Sequence, residues 1–195
     1  MIATVLQFSQ QKYVILRSML KQRHAASLYA HTMYLLHACK WGGDKQLPDT
    51  PSLYAEPRME ELLLTILPRI EEASGLRLYP TYSYLRVYKR GDVLAMHLDR
   101  PACEISVSVN LGYEAPAPWP LWIEGPAGVV SVEIEPGSAV VYRGAECVHW
   151  RDRFSGEHSA QVMLHYVDRN GPNASWKFDK RSDLGVIKLP ALDHP

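Results

Sequence analysis

The chain has no excess of either charge: 21 Lys and Arg balance 21 Asp and Glu over 195 residues, and the pI is near 7.1. That removes the electrostatic argument for nucleic acid or an anionic membrane surface as a partner. It has no apolar run near the roughly 18 residues that a membrane span needs. Its first residues, MIATVLQFSQQKYVILRSMLKQR, lack a basic start, a long apolar centre and a small-residue cleavage site, so no signal peptide is expected. Cysteine is scarce. Cys39, Cys103 and Cys147 are odd in number and widely spaced, which argues against a disulfide framework and for reduced, buried thiols in a cytoplasmic protein. There is no internal repeat and no low-complexity tract. Length alone suits one domain with a sizeable core.

Residues 10–40 carry apolar side chains near helical spacing, from Tyr13, Leu16 and Leu20 to Leu35 and Leu36, and Gly42-Gly43 ends the segment. His24, His31 and His37 lie six or seven apart, off the one-turn spacing of a helical metal pair, and read as surface or packing residues. A Pro-punctuated loop follows, with Tyr54 expected to pack. Residues 58–74 read as a second helix, with Leu62, Ile66 and Ile70 on one stripe, Pro68 as a kink or new start, and Gly75 as its end. The first 75 residues are thus expected to be helical support and not the site.

From residue 76 the pattern changes to short β runs divided by Pro and Gly. Tyr82, Tyr84, Arg86 and Tyr88 alternate with Ser83, Leu85 and Val87. Residues 104–111 alternate strictly, Ile105, Val107, Val109 and Leu111 against Glu104, Ser106, Ser108 and Asn110; that polar face either lines a cavity or meets solvent. About eight strands are expected between 76 and 170, with a polar, irregular tail at 171–195 in which Trp176 and Phe178 dock back. The fold class is mainly β with N-terminal helices (α+β), and eight strands suit a jelly roll.

Chemistry concentrates at Met96-His97-Leu98-Asp99. On a strand, residues two apart share a face, so His97 and Asp99 point together. His149 ends another strand-like run fifty residues on. Two His and one carboxylate that leave coordination positions open form the ligand set of non-heme Fe(II) oxygenases. Cys103 and Cys147 are near in sequence, but neither has a Cys or His at close zinc-type spacing.

The ordered set Tyr84-Leu85-Arg86-Val87-Tyr88, Gly91, His97-Leu98-Asp99-Arg100, Pro136-Gly137-Ser138-Ala139-Val140-Val141-Tyr142, His149 and His165-Tyr166-Val167 resembles the 2-oxoglutarate/Fe(II)-dependent dioxygenases, and within them the prolyl 4-hydroxylase-like branch. The resemblance covers about residues 80–168. It implies a double-stranded β-helix, Fe(II) held by His97, Asp99 and His149, and 2-oxoglutarate and O₂ as cosubstrates. The implied reaction is hydroxylation of an unactivated C–H bond of a peptidyl or small, amino-acid-like substrate, with release of succinate and CO₂. Family members that halogenate lack the carboxylate ligand; its presence here as Asp99 favours hydroxylation.

One departure is plain. The basic residue that the family places nine to eleven positions past the distal His, where it meets the far carboxylate of 2-oxoglutarate, is missing; Ser159 stands there. Arg151, two residues past His149 and on the same face, is the first replacement, with Arg153 next and His158 if the register slips by one. Ser159, Gln161, Tyr88 and Tyr82 are further contacts to the cosubstrate. Arg100 either holds Asp99, binds an anionic substrate or forms a loop ion pair. Trp119 and Trp122 are candidates for a substrate wall or for core, and His165 for a supporting histidine. The competing functions are a non-catalytic jelly-roll module that binds a metal or small ligand, and a hydrolase using zinc or another metal on the same ligands. Substrate identity and oligomeric state are not encoded in any motif.

Overall fold

The structure is a computed structural model that describes residues 2–185. Two antiparallel sheets hold ten strands: β1 Tyr13–Leu16, β2 Ser52–Tyr54, β3 Leu78–Lys89, β4 Leu94–His97, β5 Ile105–Glu114, β6 Leu121–Gly125, β7 Gly128–Val132, β8 Ala139–Tyr142, β9 Val148–Arg151 and β10 His158–Asp168. The larger sheet runs β1-β8-β5-β10-β3-β2 and the smaller β4-β9-β6-β7. Helices α1 Ile2–Gln11, α2 Gln22–Ala38 and α3 Pro57–Ser74 precede or interleave with the first strands.

Period-two alternation sorts the larger sheet into two faces. Leu85, Val87, Val107, Val109, Leu111, Ala160, Val162 and Leu164 form one core with Leu28 of α2 and with Met59, Leu62, Leu63, Ile66 and Ile70 of α3. α3 is well specified. The Glu56 side chain accepts from the Met59 N–H at its start, Pro57 occupies the first turn, and Gly75 closes it at φ 73°. The helix runs through Pro68 without stopping. The carbonyl that loses its donor there belongs to Leu64, a half-exposed residue whose backbone solvent can satisfy.

Two expectations are corrected. Residues 10–40 are not one helix, because α1 ends at Gln11 and Tyr13-Val14-Ile15-Leu16 forms edge strand β1, paired with β8. A four-residue run rich in β-branched side chains satisfies both periods, and the free edge of β8 decides. Nor are the first 75 residues mere support: β2 pairs with β3, and Asp44, Gln46 and Tyr54 line the central cavity. The eight strands expected after residue 75 are β3 to β10. Residues 186–195 of the expected tail lie outside the described residues; its earlier part, Ala174–Lys180, is a short 3-10 turn that breaks at Lys177. Among the described residues, no helix is long and apolar enough to cross a membrane.

Candidate metal centre and its cavity

β4 and β9 pair so that His97 stands directly opposite His149. Asp99 lies just beyond β4, where its N–H donates to the Gly144 carbonyl (2.9 Å). The three side chains offer one ligand atom each, all within 4.8 Å of one another. Both His Nε2 atoms lie 3.6 Å from the same Asp99 Oδ1. Donors at right angles and ~2.1 Å from a shared ion sit ~3 Å apart, so a small inward shift closes the set on a cation.

The orientation of each donor is fixed from behind. His97 Nδ1 lies 2.8 Å from the Ala95 carbonyl and His149 Nδ1 2.9 Å from the Cys147 carbonyl. A carbonyl only accepts, so both Nδ1 atoms carry the proton and both Nε2 lone pairs face the centre. Ser106 Oγ donates to Asp99 Oδ2 at 2.6 Å, leaving Oδ1 for the centre. With its hydrogen spent there, Ser106 accepts from His165 Nδ1 at 3.0 Å. Gly144 makes the close approach possible. A Cβ there would lie 2.1 Å from Asp99 Oδ2 and 2.6 Å from Ser106 Oγ.

Titration follows from these contacts. Burial pushes the Asp99 carboxyl up, but the His97 hydrogen bond, the neighbouring His149 and His165 and the Ser106 hydroxyl together pull it down to about 2. Burial opposes a charge on His97, yet Asp99 and the Ala95 carbonyl outweigh it and raise its pKa. His149 is lowered, mainly by burial. Burial also lowers His165, to about 4. The ionised Asp99 carboxylate and the lowered His149 match what a cation requires, whereas His97, raised beside Asp99, gives up its proton when a cation binds.

The inner face of the larger sheet answers the question left by its polar alternation: it is buried, not solvated. Ser106, Ser108, Asn110, Ser159 and Gln161 are all at most 3% exposed. Arg151 enters the same interior from β9, two residues past His149 and so about 7 Å along the strand. Its guanidinium donates to the Trp119 carbonyl and to Ser108 Oγ (3.4 Å) and lies over the Trp119 ring. It has no carboxylate partner among the described residues. Burial lowers its pKa. Arg86 differs: Ser52, Tyr88 and Asp44 take its three nitrogens, with Asp44 as a counter-charge. Gln161 donates to Ser159 Oγ (3.0 Å), while Gln161 Oε1 and Asn110 Oδ1 are buried with no partner.

A cavity of ≈ 290 Å³ opens on the centre, lined by His97, Asp99, His149 and His165, by Tyr54, Tyr82, Tyr84 and Tyr88, and by Arg86 and Arg100 among others. Thus Tyr82, Tyr88 and Arg100 line the cavity. Arg153 does not. It is exposed and donates to the Gly91 carbonyl (3.1 Å), because the chain turns outward after β9. Trp119 is buried against Tyr88 and Phe154 and backs Arg151; it is no cavity wall. Trp122 stacks on Trp150 at 6.0 Å on the face of the smaller sheet turned away from His149. His158 contacts Tyr29 and Glu114, away from the centre. Of the three thiols Cys103 and Cys147 are buried, but Cys39 is exposed. The sequence reading missed Ser106, Gly144, Asp44 and Asp179; only Ser106, on the polar face of β5, carried a signal.

No family model matches the chain, and no curated protein matches it. Solved structures do. A prolyl-4-hydroxylase from Pseudomonas putida matches with TM-score 0.70 at 15% identity, over 86% of this chain and 98% of that one. The epimerase SnoN, in a complex with Fe3+, alpha ketoglutarate and nogalamycin RO, matches with TM-score 0.72 at 14% identity, over 97% and 93%. A prolyl hydroxylase from Trichoplax adhaerens, in complex with a peptide fragment of a hypoxia inducible factor, matches with TM-score 0.69 at 13% identity, over 85% and 88%. At such identities the likeness establishes the fold, and the fold this chain shares is that of 2-oxoglutarate/Fe(II)-dependent oxygenases, prolyl hydroxylases among them.

Proposed function

We propose that the chain is an Fe(II)- and 2-oxoglutarate-dependent dioxygenase that hydroxylates an unactivated C–H bond of a small-molecule or peptidyl substrate. The strand order of β3 to β10, split between the two sheets, supports the eight-stranded jelly roll of that class. The observation that carries the reading is the triad: two Nε2 lone pairs and one carboxylate oxygen converge on one point at a cavity floor.

The residues fit the groups the reading requires. His97, Asp99 and His149 would hold Fe(II), leaving further positions open on the cavity side. Arg151 would take the far carboxylate of 2-oxoglutarate. A fully buried guanidinium without a counter-charge is costly, and a carboxylate arriving beside it relieves that cost. Ser108 already contacts Arg151, and Ser159, Gln161 and Tyr88 share the interior. When bound, Fe(II), 2-oxoglutarate and O₂ supply the oxidising power, with succinate and CO₂ as coproducts. The protein's part is to fix the Nε2 tautomers through the Ala95 and Cys147 carbonyls, keep Asp99 ionised through Ser106, and wall the centre from water with Tyr82, Tyr88 and Tyr142. The reading as a non-catalytic module draws its force from the missing basic residue at Ser159, and the buried Arg151 supports the oxygenase reading against it.

The test is anaerobic addition of Fe(II) and then 2-oxoglutarate, watching for the weak visible band of an Fe(II)–keto acid chelate, followed by succinate release in air. A band in the wild type that weakens in Arg151→Ala supports both the cosubstrate and its anchor. Metal binding with no band and no succinate refutes the oxygenase reading.

A further inference from the structure

Beside the cavity a C-terminal strap packs against two of its lining residues, Tyr54 and Arg100, with chemistry that the oxygenase reading does not use. After the turn at Ala174, three successive non-glycine residues, Phe178, Asp179 and Lys180, hold φ of 54°, 54° and 60°. L residues resist that left-handed region, so a run of three persists only where surrounding contacts impose it, and such runs mark clamps and sites. The contacts are specific. Asp179, 6% exposed, accepts from Tyr54 Oη at 2.7 Å and from Arg100 Nη1 at 2.8 Å. Just past it, Arg181 is tied to Glu60 (3.0 Å) and to the Thr81 carbonyl (2.8 Å).

What the strap holds in place is positive charge. The Arg100 guanidinium lies over the rings of Tyr82 (4.7 Å) and Trp176 (5.6 Å). Lys180 Nζ lies 3.9 Å from the centre of the same Trp176 ring and has no carboxylate partner among the described residues. Among the described residues Asp179 is the one ion-pair partner of Arg100, through Nη1, and the guanidinium carries further N–H donors. Arg100 is also the residue after Asp99, lines the cavity, and keeps its side chain 42% exposed. Two cations on one indole, only one of them paired with the buried acid Asp179, and a planar set of donors suit a carboxylate.

We infer that Arg100 and Lys180, gathered on Trp176 by the strap, form a carboxylate-recognition subsite at the cavity mouth, with Asp179 as the positioning residue. The substrate that reaches the metal is then a small molecule bearing a free carboxylate, not the interior of a peptide. This rests on the oxygenase reading for the word substrate, but the anion site stands on its own geometry.

The probes are N-acetyl amino acids as free acids and as their primary amides, titrated calorimetrically into protein loaded with Mn(II) and 2-oxoglutarate, with inorganic phosphate as a third ligand. The free acids should bind about tenfold or more tighter than the amides, the scale of a charge-assisted pair. Arg100→Gln should abolish that preference and Arg100→Lys restore part of it, with 2-oxoglutarate binding retained in both. Asp179→Asn should weaken acid binding without reversing the preference. Equal binding of acids and amides, no binding of either, or binding of phosphate alone overturns the subsite. Failure of 2-oxoglutarate to bind, with acid preference intact, refutes the oxygenase reading and leaves the subsite standing.

Discussion

The two faces of the six-stranded sheet come from the same strands and are almost equally buried, yet they are made for opposite ends. The face toward α2 and α3 is mostly Val, Leu, Ile and Ala, with Ser83 bonded to Glu60 of α3 as its polar exception. The face toward the smaller sheet is Ser106, Ser108, Asn110, Gln161, His165 and Arg86. Burial by itself therefore does not mark a hydrophobic core. One face contributes the transfer free energy that holds the fold. Among the described residues, the other leaves Gln161 Oε1 and Asn110 Oδ1 without partners and Arg151 without a counter-charge, an arrangement that folding alone does not favour.

If the division is real, substitutions on the two faces must separate into binding and stability effects. The largest expected effect is loss of the metal. Asp99→Ala should lower Fe(II) or Mn(II) affinity by about a hundredfold or more, beyond what loss of a supporting partner causes, as read by calorimetric titration. On the opposite face Leu164→Ala, at a fully buried position, should cost about 2–5 kcal/mol in denaturant unfolding and leave metal affinity unchanged. A metal defect in Leu164→Ala that persists at temperatures where the variant is fully folded would break the comparison.

Arg151→Met sharpens it. A buried cation without a partner is replaced by an apolar chain of similar length, so the stability of the apo protein should hold or rise by about 1 kcal/mol, while 2-oxoglutarate binds about ten- to a hundredfold more weakly. Lower stability without a change in cosubstrate affinity would make Arg151 a structural residue after all.

How much of this was legible in the chain depends on the range of the contact. His97 and Asp99 were readable from their pairing in the sequence, although β4 ends at His97 and Asp99 reaches the centre from just beyond it; two-residue spacing within β9 did put Arg151 on the face of His149. Polar alternation in β5 was visible, but one strand cannot say whether its polar side meets solvent or a second sheet. Asp44 reaches Arg86 across 42 residues and Asp179 reaches Arg100 across 79. No period links such pairs. Gly144 matters only because the backbone passes against the Asp99 carboxylate, and a lone glycine after a strand reads as a turn. Tyr13–Leu16 reads as helix in the sequence because so short an apolar run fits either period.

The smallest effect expected is in the pH dependence of the metal-free protein. His165 titrates at about 4 in the fold against ~6.5 unfolded, so the unfolded chain takes up its proton first. Its contribution is complete above ~6.5 and is lost as the pH falls toward 4. His149 is shifted in the same direction. His97 is raised and does the opposite, adding stability below ~6.5 that disappears as the pH rises through its folded value. Asp99 enters only at the bottom of the range, its stabilisation fading from ~3.9 toward 2. Below pH ~6.5 His97 is protonated in both states, so the two lowered histidines leave a loss of stability between pH ~6.5 and 4 that arises on the inner face. Thermal melts across that range should show a falling midpoint for the wild type and a shallower fall for His165→Gln. An unchanged slope in His165→Gln would mean that the inner face does not set the acid sensitivity, and the contrast between the two faces would then rest on binding alone.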